Sequence, residues 1–186
     1  MIASVTRSTD FPVSVGGFQS TSGGGGSGNS DGVLAKVNPS CTNLIWSNYI
    51  GGAGDENANS LKIDSNGDIY VTGGTTSSSG VHVTPGSYSA THQGGVDGYL
   101  LHVNSAGTAV LQGTYFGGLD DQQGYFVEID YAGFPYVLGQ GPNYVVSPGV
   151  YSQVGGGLFV DKITPNLSAS QWSTILGGAN ANLSPT

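Results

Sequence analysis

Basic residues are almost missing from this chain: lysine and arginine together number four in 186 residues, against twelve aspartates and glutamates. The formal net charge of −8 and the sequence pI near 4.3 follow from that imbalance. Nucleic acid and anionic membrane surfaces demand clustered Lys and Arg, so both are excluded as partners. There is one cysteine, Cys41, so no intramolecular disulfide can form, and the lone thiol does not fix a compartment. No apolar run is long enough to span a bilayer, so membrane insertion is not expected. Met1–Thr6 lacks the basic start and long apolar core of a signal peptide and reads as a strand. Charged residues make up only 9% of the chain, yet aromatics and β-branched residues are plentiful and periodic, which separates it from a disordered polymer.

What the chain has in abundance is glycine, 33 residues, and a repeat. Asp31-Gly-Val-Leu-Ala-Lys-Val-Asn38 returns as Asp97-Gly-Tyr-Leu-Leu-His-Val-Asn104, 66 residues later, and again as Gly157-Leu-Phe-Val-Asp-Lys-Ile-Thr164, aligned on Lys36 and Lys162. Tyr49-Ile-Gly-Gly52 returns as Tyr115-Phe-Gly-Gly118 after 66 residues and as Ile175-Leu-Gly-Gly178 after 60. Val5-Thr6, Val71-Thr72 and Val137-Leu138 supply a third anchor at the same period of 66. In the middle unit four strand-like runs stand out: Ser60–Asp64, Ile69–Gly73, Gly98–Asn104 and Ala109–Phe116. Asn66-Gly67 marks a tight two-residue hairpin turn, because both residues tolerate φ > 0. Asp130-Tyr-Ala-Gly-Phe134 is expected to be a looser turn at the matching place.

Four short strands per repeat is the pattern of a β-propeller blade, with the excess length in the loop Thr75–Val96. The expected fold is all-β, with about three blade-like units: an incomplete first blade at 1–54, a second at 55–120, and a third with a C-terminal extension at 121–186. A ring needs at least about four blades. Three strands, then four, then four make an open arc, and the expectation is a segment of a longer polypeptide. The Gly-rich stretch Gly23–Gly28 falls in register with Ala90–Val96 and is expected to be an intra-blade loop.

The residues resemble a known family. Gly51-Gly-Ala-Gly-Asp-Glu56, then Asp64-Ser-Asn-Gly-Asp-Ile-Tyr-Val-Thr-Gly73, then Thr84-Pro-Gly-Ser-Tyr88, then Gly94-Gly-Val-Asp-Gly-Tyr-Leu100 look like the SBBP β-propeller repeat. Trp172–Gly178 and Leu183–Thr186 resemble the same family's stretches. The resemblance implies a large secreted or cell-surface protein of gliding Bacteroidota-type bacteria, delivered by a type IX-like route and serving in adhesion, gliding or extracellular assembly. A scaffold of this kind hosts many activities, so the fold alone does not name one.

The leading expectation is a non-catalytic scaffold or interaction module whose partners are proteins or further blades of the same polypeptide. Two alternatives stand beside it: a carbohydrate-binding module, with glycans as partners, and a self-assembling structural subunit of a fibre or ring. No catalytic constellation appears. His82, His92 and His102 all lie in the middle unit, and His102, at the strand position of Lys36 and Lys162, is expected to face solvent. No Gly-x-Ser-x-Gly elbow occurs, and Cys41 has no histidine partner. Trp46, Tyr88, Tyr151 and Trp172 are the candidate ligand-binding residues, with interlocking between blades as the simpler reading of the tryptophans. Calcium is the cofactor worth weighing, since it takes hard oxygen ligands from short loops. Asp55 and Glu56, with Asp120 and Asp121 as their counterparts, are the candidate ligands. Their bland reading is a set of carboxylates accepting backbone N–H groups. The Asp64–Asp68 hairpin is explained by its turn without a metal.

Overall fold

A computed structural model describes residues 1–24, 28–152 and 157–177. Among them there is no helix, and eleven strands run in chain order: β1 (Ile2–Thr6), β2 (Asp31–Val37), β3 (Leu44–Ile50), β4 (Glu56–Ile63), β5 (Ile69–Thr75), β6 (Asp97–Val103), β7 (Val110–Phe116), β8 (Gln123–Ile129), β9 (Pro135–Gln140), β10 (Leu158–Ile163) and β11 (Ser170–Leu176). They form three antiparallel meanders, β1-β2-β3, β4-β5-β6-β7 and β8-β9-β10-β11, none closed into a barrel. The expected class, open propeller-like blades with an incomplete first unit, is the one observed. Parts of the Gly23–Gly28 stretch, of Gly177–Asn180, and all of Leu183–Thr186 lie outside the described residues.

The blades repeat down to individual backbone bonds. Between the first two strands of the second blade, Asp64 N–H donates to the Asp68 carbonyl and Gly67 N–H to that of Asp64. Asp64 Oδ1 accepts the N–H groups of Asn66 and Asp68. Only Gly67 has positive φ, at 85°. The turn is therefore a three-residue loop with a left-handed glycine, not the two-residue turn expected from Asn-Gly, because the Asp64 carboxylate satisfies the amides that a tighter turn would leave facing it. In the third blade Asp130 accepts from Ala132 and Phe134 in the same way, and Gly133 has φ 85°. The looseness expected at Asp130–Phe134 is absent, since the aspartate and the glycine, not Asn-Gly, define the turn.

One anchor of the sequence repeat shifts by three residues. Ile2, not Val5, lies opposite Ala35, as Val71 lies opposite Leu101. Likewise Thr6 faces Asp31 as Thr75 faces Asp97. The connection after β1, residues 7–30, is longer than its counterpart at 76–96, and that insertion displaces the first strand relative to the period. β4 also begins before the expected Ser60, because a bulge between Ala58 and Ser60 lets the ladder continue to Glu56. The matching bulge between Gly124 and Phe126 does the same for β8.

The second blade is buried on both faces, and alternation along its strands allots residues to each. Ile69 and Val71 of β5, Tyr99, Leu101 and Val103 of β6, and Tyr115 of β7 pack with Leu34, Trp46 and Ile50 of the first blade. Tyr70, Leu100 and Phe116 point the other way, into Val127, Val137, Phe159, Ile163 and Leu167 of the third. These strands are apolar on both sides, as sheets covered on both faces require.

A second contact ties neighbouring blades. Ser14-Val-Gly16, Thr84-Pro-Gly86 and Ser147-Pro-Gly149 are equivalent turns, each with a left-handed glycine, φ 84°, 78° and 78°. Two residues past the glycine comes an aromatic: Phe18, Tyr88 or Tyr151. Phe18 N–H donates to the Gly107 carbonyl of the next blade (3.3 Å) and Tyr88 N–H to that of Leu167 (2.7 Å). Cys41, Gly107 and Leu167 are themselves equivalent left-handed positions, φ 55°, 68° and 52°, in the hairpins that join the third and fourth strands. A Cβ on Gly107 would sit 2.5 Å from the Trp46 ring. In the following pair the aromatic is replaced by Gln112, paired with His102 as Trp46 is with Lys36, and the left-handed residue is the buried Leu167. The interface that has the tryptophan has glycine at the left-handed position, and the one that has the glutamine has leucine there.

Gly107→Leu should therefore destabilise the protein by about 2–4 kcal/mol, from the left-handed penalty of a side chain plus overpacking. In a Trp46→Gln background, which supplies the space used around Leu167, the same change should cost less by at least about 1 kcal/mol. Denaturant unfolding of the four proteins measures that coupling; additive losses would show that the ring does not set the glycine.

Candidate functional site

The sequence candidates fall into different settings. Trp46 is only 6% exposed and packs between the first and second blades, so a sugar could stack on it only if the blades parted. Tyr88 is half-buried against the core between the second and third blades. Trp172 is half-buried, edge-on to Tyr136 at 5.8 Å. Tyr151 is 70% exposed. Tyr151 and Trp172 occupy in the third blade the positions through which Phe18 and Trp46 grip the second.

The acidic loops do not converge. Asp55 accepts both the N–H and the hydroxyl of Ser30, and the first of these holds its carboxyl below the usual range. Asp121 accepts the Val96 N–H in the equivalent bond. Glu56 is 1% exposed, and its oxygens take the Gly52 N–H (2.7 Å) and the Thr75 hydroxyl (2.6 Å). Its counterpart is Gln122, which accepts the Gly118 N–H at 2.8 Å. The pairing expected between Asp55-Glu56 and Asp120-Asp121 is thus off by one residue. An uncharged glutamine does the work of Glu56 in the next repeat, so that position staples a loop. Asp120 holds the Asn143 side chain at 2.9 Å.

A different set converges at the hairpin end of the blades. Tyr70, His102 and Gln112 form one row across the second sheet, and Tyr136, Lys162 and Trp172 the same row in the third. Lys162 Nζ lies 3.0 Å from Asp130 Oδ2, 4.4 Å above the Phe134 ring and 4.9 Å above Tyr136. The Phe134 N–H, then Lys162, holds the Asp130 carboxyl below its ordinary value; the Tyr136 hydroxyl and Asp130 push the Lys162 ammonium up.

In the second blade His102 replaces the lysine and Asp68 replaces Phe134. His102 does not face solvent as expected: its side chain is 13% exposed, and its ring stacks on Tyr70 with centroids 4.2 Å apart. Nε2 is 3.8 Å from Asp64 Oδ2 and from Asp68 Oδ2. Among the described residues these three are the His, Cys, Asp and Glu side chains whose ligand atoms come together, all within 4.8 Å of one another. The Tyr70 hydroxyl donates to the Pro165 carbonyl of the third blade. Burial, with the two aspartates adding to it, pushes this phenol up to about 12. A cleft of about 770 Å³ opens beside the cluster, lined by Asp64, Asn66, His102, Asp130, Tyr131 and others. Only the repeat comparison reveals this cluster in the sequence: the position filled by Lys36 and Lys162 holds a histidine where the hairpin holds two aspartates.

Comparison with known families gives a match over residues 45–80, from β3 through β5, to the family described as SBBP, the beta-propeller repeat. No curated protein matches the chain. The repeat supports an interaction or scaffold module as the class.

The Asp130–Lys162 pair makes a pH prediction. A carboxyl depressed in the folded state contributes stability that is present above its unfolded pKa of about 3.9 and is lost as pH falls through the folded value. In Lys162→Met, Asp130 should titrate closer to its ordinary value but not reach it, because the Phe134 N–H remains. The loss of stability below about pH 4 should be shallower. Carboxyl NMR titration of both proteins checks this; an unchanged Asp130 midpoint would mean that the lysine does not act on it.

Proposed function

We propose that the chain is a non-catalytic scaffold and interaction module of a large exported bacterial surface protein, acting in adhesion or extracellular assembly. Its partners are further blades or other proteins, with no role for nucleic acid or membrane insertion. One observation carries the reading. Each described blade presents to its neighbour the aromatic after a left-handed glycine and the residue paired with Lys36, His102 or Lys162. On the third blade these are the exposed Tyr151 and the half-buried Trp172. The same grip that joins the first blade to the second is thus held open to another blade, in the same polypeptide or in a neighbour. Long connections separate β1 from β2, β5 from β6 and β9 from β10, and loops on such scaffolds are where recognition concentrates.

The denatured mass of the natural polypeptide, set beside the native particle mass, separates the two arrangements. A denatured mass above 18.8 kDa places further blades in cis; a mass of 18.8 kDa with a larger particle places them in trans. For the 186-residue chain produced alone, concentration-dependent association is expected, weakened at least about tenfold by Trp172→Gln with Tyr151→Ser, the size of a single interface anchor. A folded monomer at all concentrations would overturn the docking reading. Labelling of intact cells with a membrane-impermeant reagent tests the surface location. The exposure of Tyr151 also favours a glycan as occupant of the same face. Glycan-array binding lost in Tyr151→Ala, in a chain that does not associate, would select that reading instead.

A further inference from the structure

We propose that Asp64, Asp68 and His102 bind a divalent transition-metal ion. The first argument is the way each side chain is held. Asp64 Oδ1 is occupied by the N–H groups of Asn66 (2.8 Å) and Asp68 (2.9 Å). Asp68 Oδ1 takes the Ser105 N–H at 2.7 Å. His102 Nδ1 lies 3.3 Å from Gln112 Oε1. Each residue is thus anchored through one polar atom and turns the other toward a common gap. A carbonyl acceptor at Nδ1 places the hydrogen there and leaves the Nε2 lone pair free, the way metal-ligating imidazoles are oriented.

The second argument is what fills the gap. Nε2 is fully buried and has no hydrogen-bond partner. At 3.8 Å each Oδ2 is too far for a hydrogen bond. A lone pair facing two carboxylates is repulsive without a cation between them. Two ligands of one ion with bonds of about 2.0–2.1 Å stand roughly 3–3.4 Å apart, so small side-chain rotations close the set.

The third argument is internal. In the third blade the cation is covalent: the Lys162 ammonium sits against Asp130, with Phe134 where Asp68 would be. The second blade removes the lysine and adds a carboxylate, so the same place has two acidic groups and no lysine, and a bound ion would supply the missing charge. One imidazole nitrogen with two carboxylates suits a first-row transition ion better than calcium, which prefers an all-oxygen shell. The remaining positions open on the cleft beside Asn66 and are filled by water.

The test uses the full chain, stripped with chelator and titrated with Zn²⁺ by calorimetry, with Ca²⁺ and Mg²⁺ run in parallel. One equivalent of Zn²⁺ is expected, with a raised Tm and a metal-dependent ¹⁵N shift at His102 Nε2. His102→Lys with Asp68→Phe rebuilds the arrangement of the third blade; it should fold and lose that equivalent. Gln112→Leu should keep the fold and weaken binding about 10–100-fold. Absence of binding at millimolar Zn²⁺ would overturn the proposal, leaving a charged imidazole between two aspartates. So would an equivalent retained by the double variant, which would place the ion at His82 or His92, or equal binding of Ca²⁺ that ignores His102.

Discussion

The amide of an aromatic residue donating to a left-handed carbonyl on the neighbouring blade is the contact on which the arc depends. Sheets packed face to face can slide, because apolar contact has no direction. The bonds from Phe18 to Gly107 and from Tyr88 to Leu167 are directional, and each ties a loop of one blade to a hairpin of the next. They bear on a hairpin residue held in the left-handed region, Gly107 or Leu167. With the hairpin in place, Trp46 or Leu167 fills the space beside it, and the register of the two sheets follows. The blade-to-blade stagger is set at the rim, and the apolar faces then fill to match.

Much of this was legible in the chain, and the failures have physical causes. The three-anchor repeat found the strand count, the missing strand of the first blade and the interlocking aromatics, since those rest on apolar alternation and on glycine. It misplaced Val5 because an insertion in a loop changes the spacing without changing the strand pairing. It misread Asn66-Gly67 because dipeptide turn preference ignores a carboxylate two residues earlier. The pairing of Glu56 with Asp121 failed for the reverse reason: the two share a charge, whereas the backbone pairs Glu56 with Gln122, alike in shape and reach. Trp172 stands opposite Lys162 as Gln112 stands opposite His102, each beside the bulge that follows in its ladder. A bulge adds a residue without leaving a mark in composition.

The cluster at Asp64, Asp68 and His102 was the hardest feature to see, because its signal is a departure from the repeat and not the repeat itself. A position that is lysine twice and histidine once reads as a solvated strand residue. Its meaning appears only when the opposite hairpin is brought over it. The bond from Ser105 to Asp68 does this, joining two turns that are 37 residues apart in sequence.

The same logic locates function within a repeat protein. Features the blades share, such as the left-handed glycines of all three and the aspartate turns of the second and third, are what the blades need to fold and stack. A function beyond stacking is to be sought where one blade differs from the next without a packing reason. The exchange of Trp46 and Gly107 for Gln112 and Leu167 has a packing reason, because the large ring goes with the glycine and the smaller side chain with the leucine. The exchange of Lys162 and Phe134 for His102 and Asp68 is of another kind: it removes a lysine and sets a second carboxylate and an imidazole together in a largely buried place, where carboxylates call for a compensating cation. The Tyr70 stack and the Ser105 bond hold these groups in place without replacing the lysine's charge, and that arrangement points to a cationic ligand.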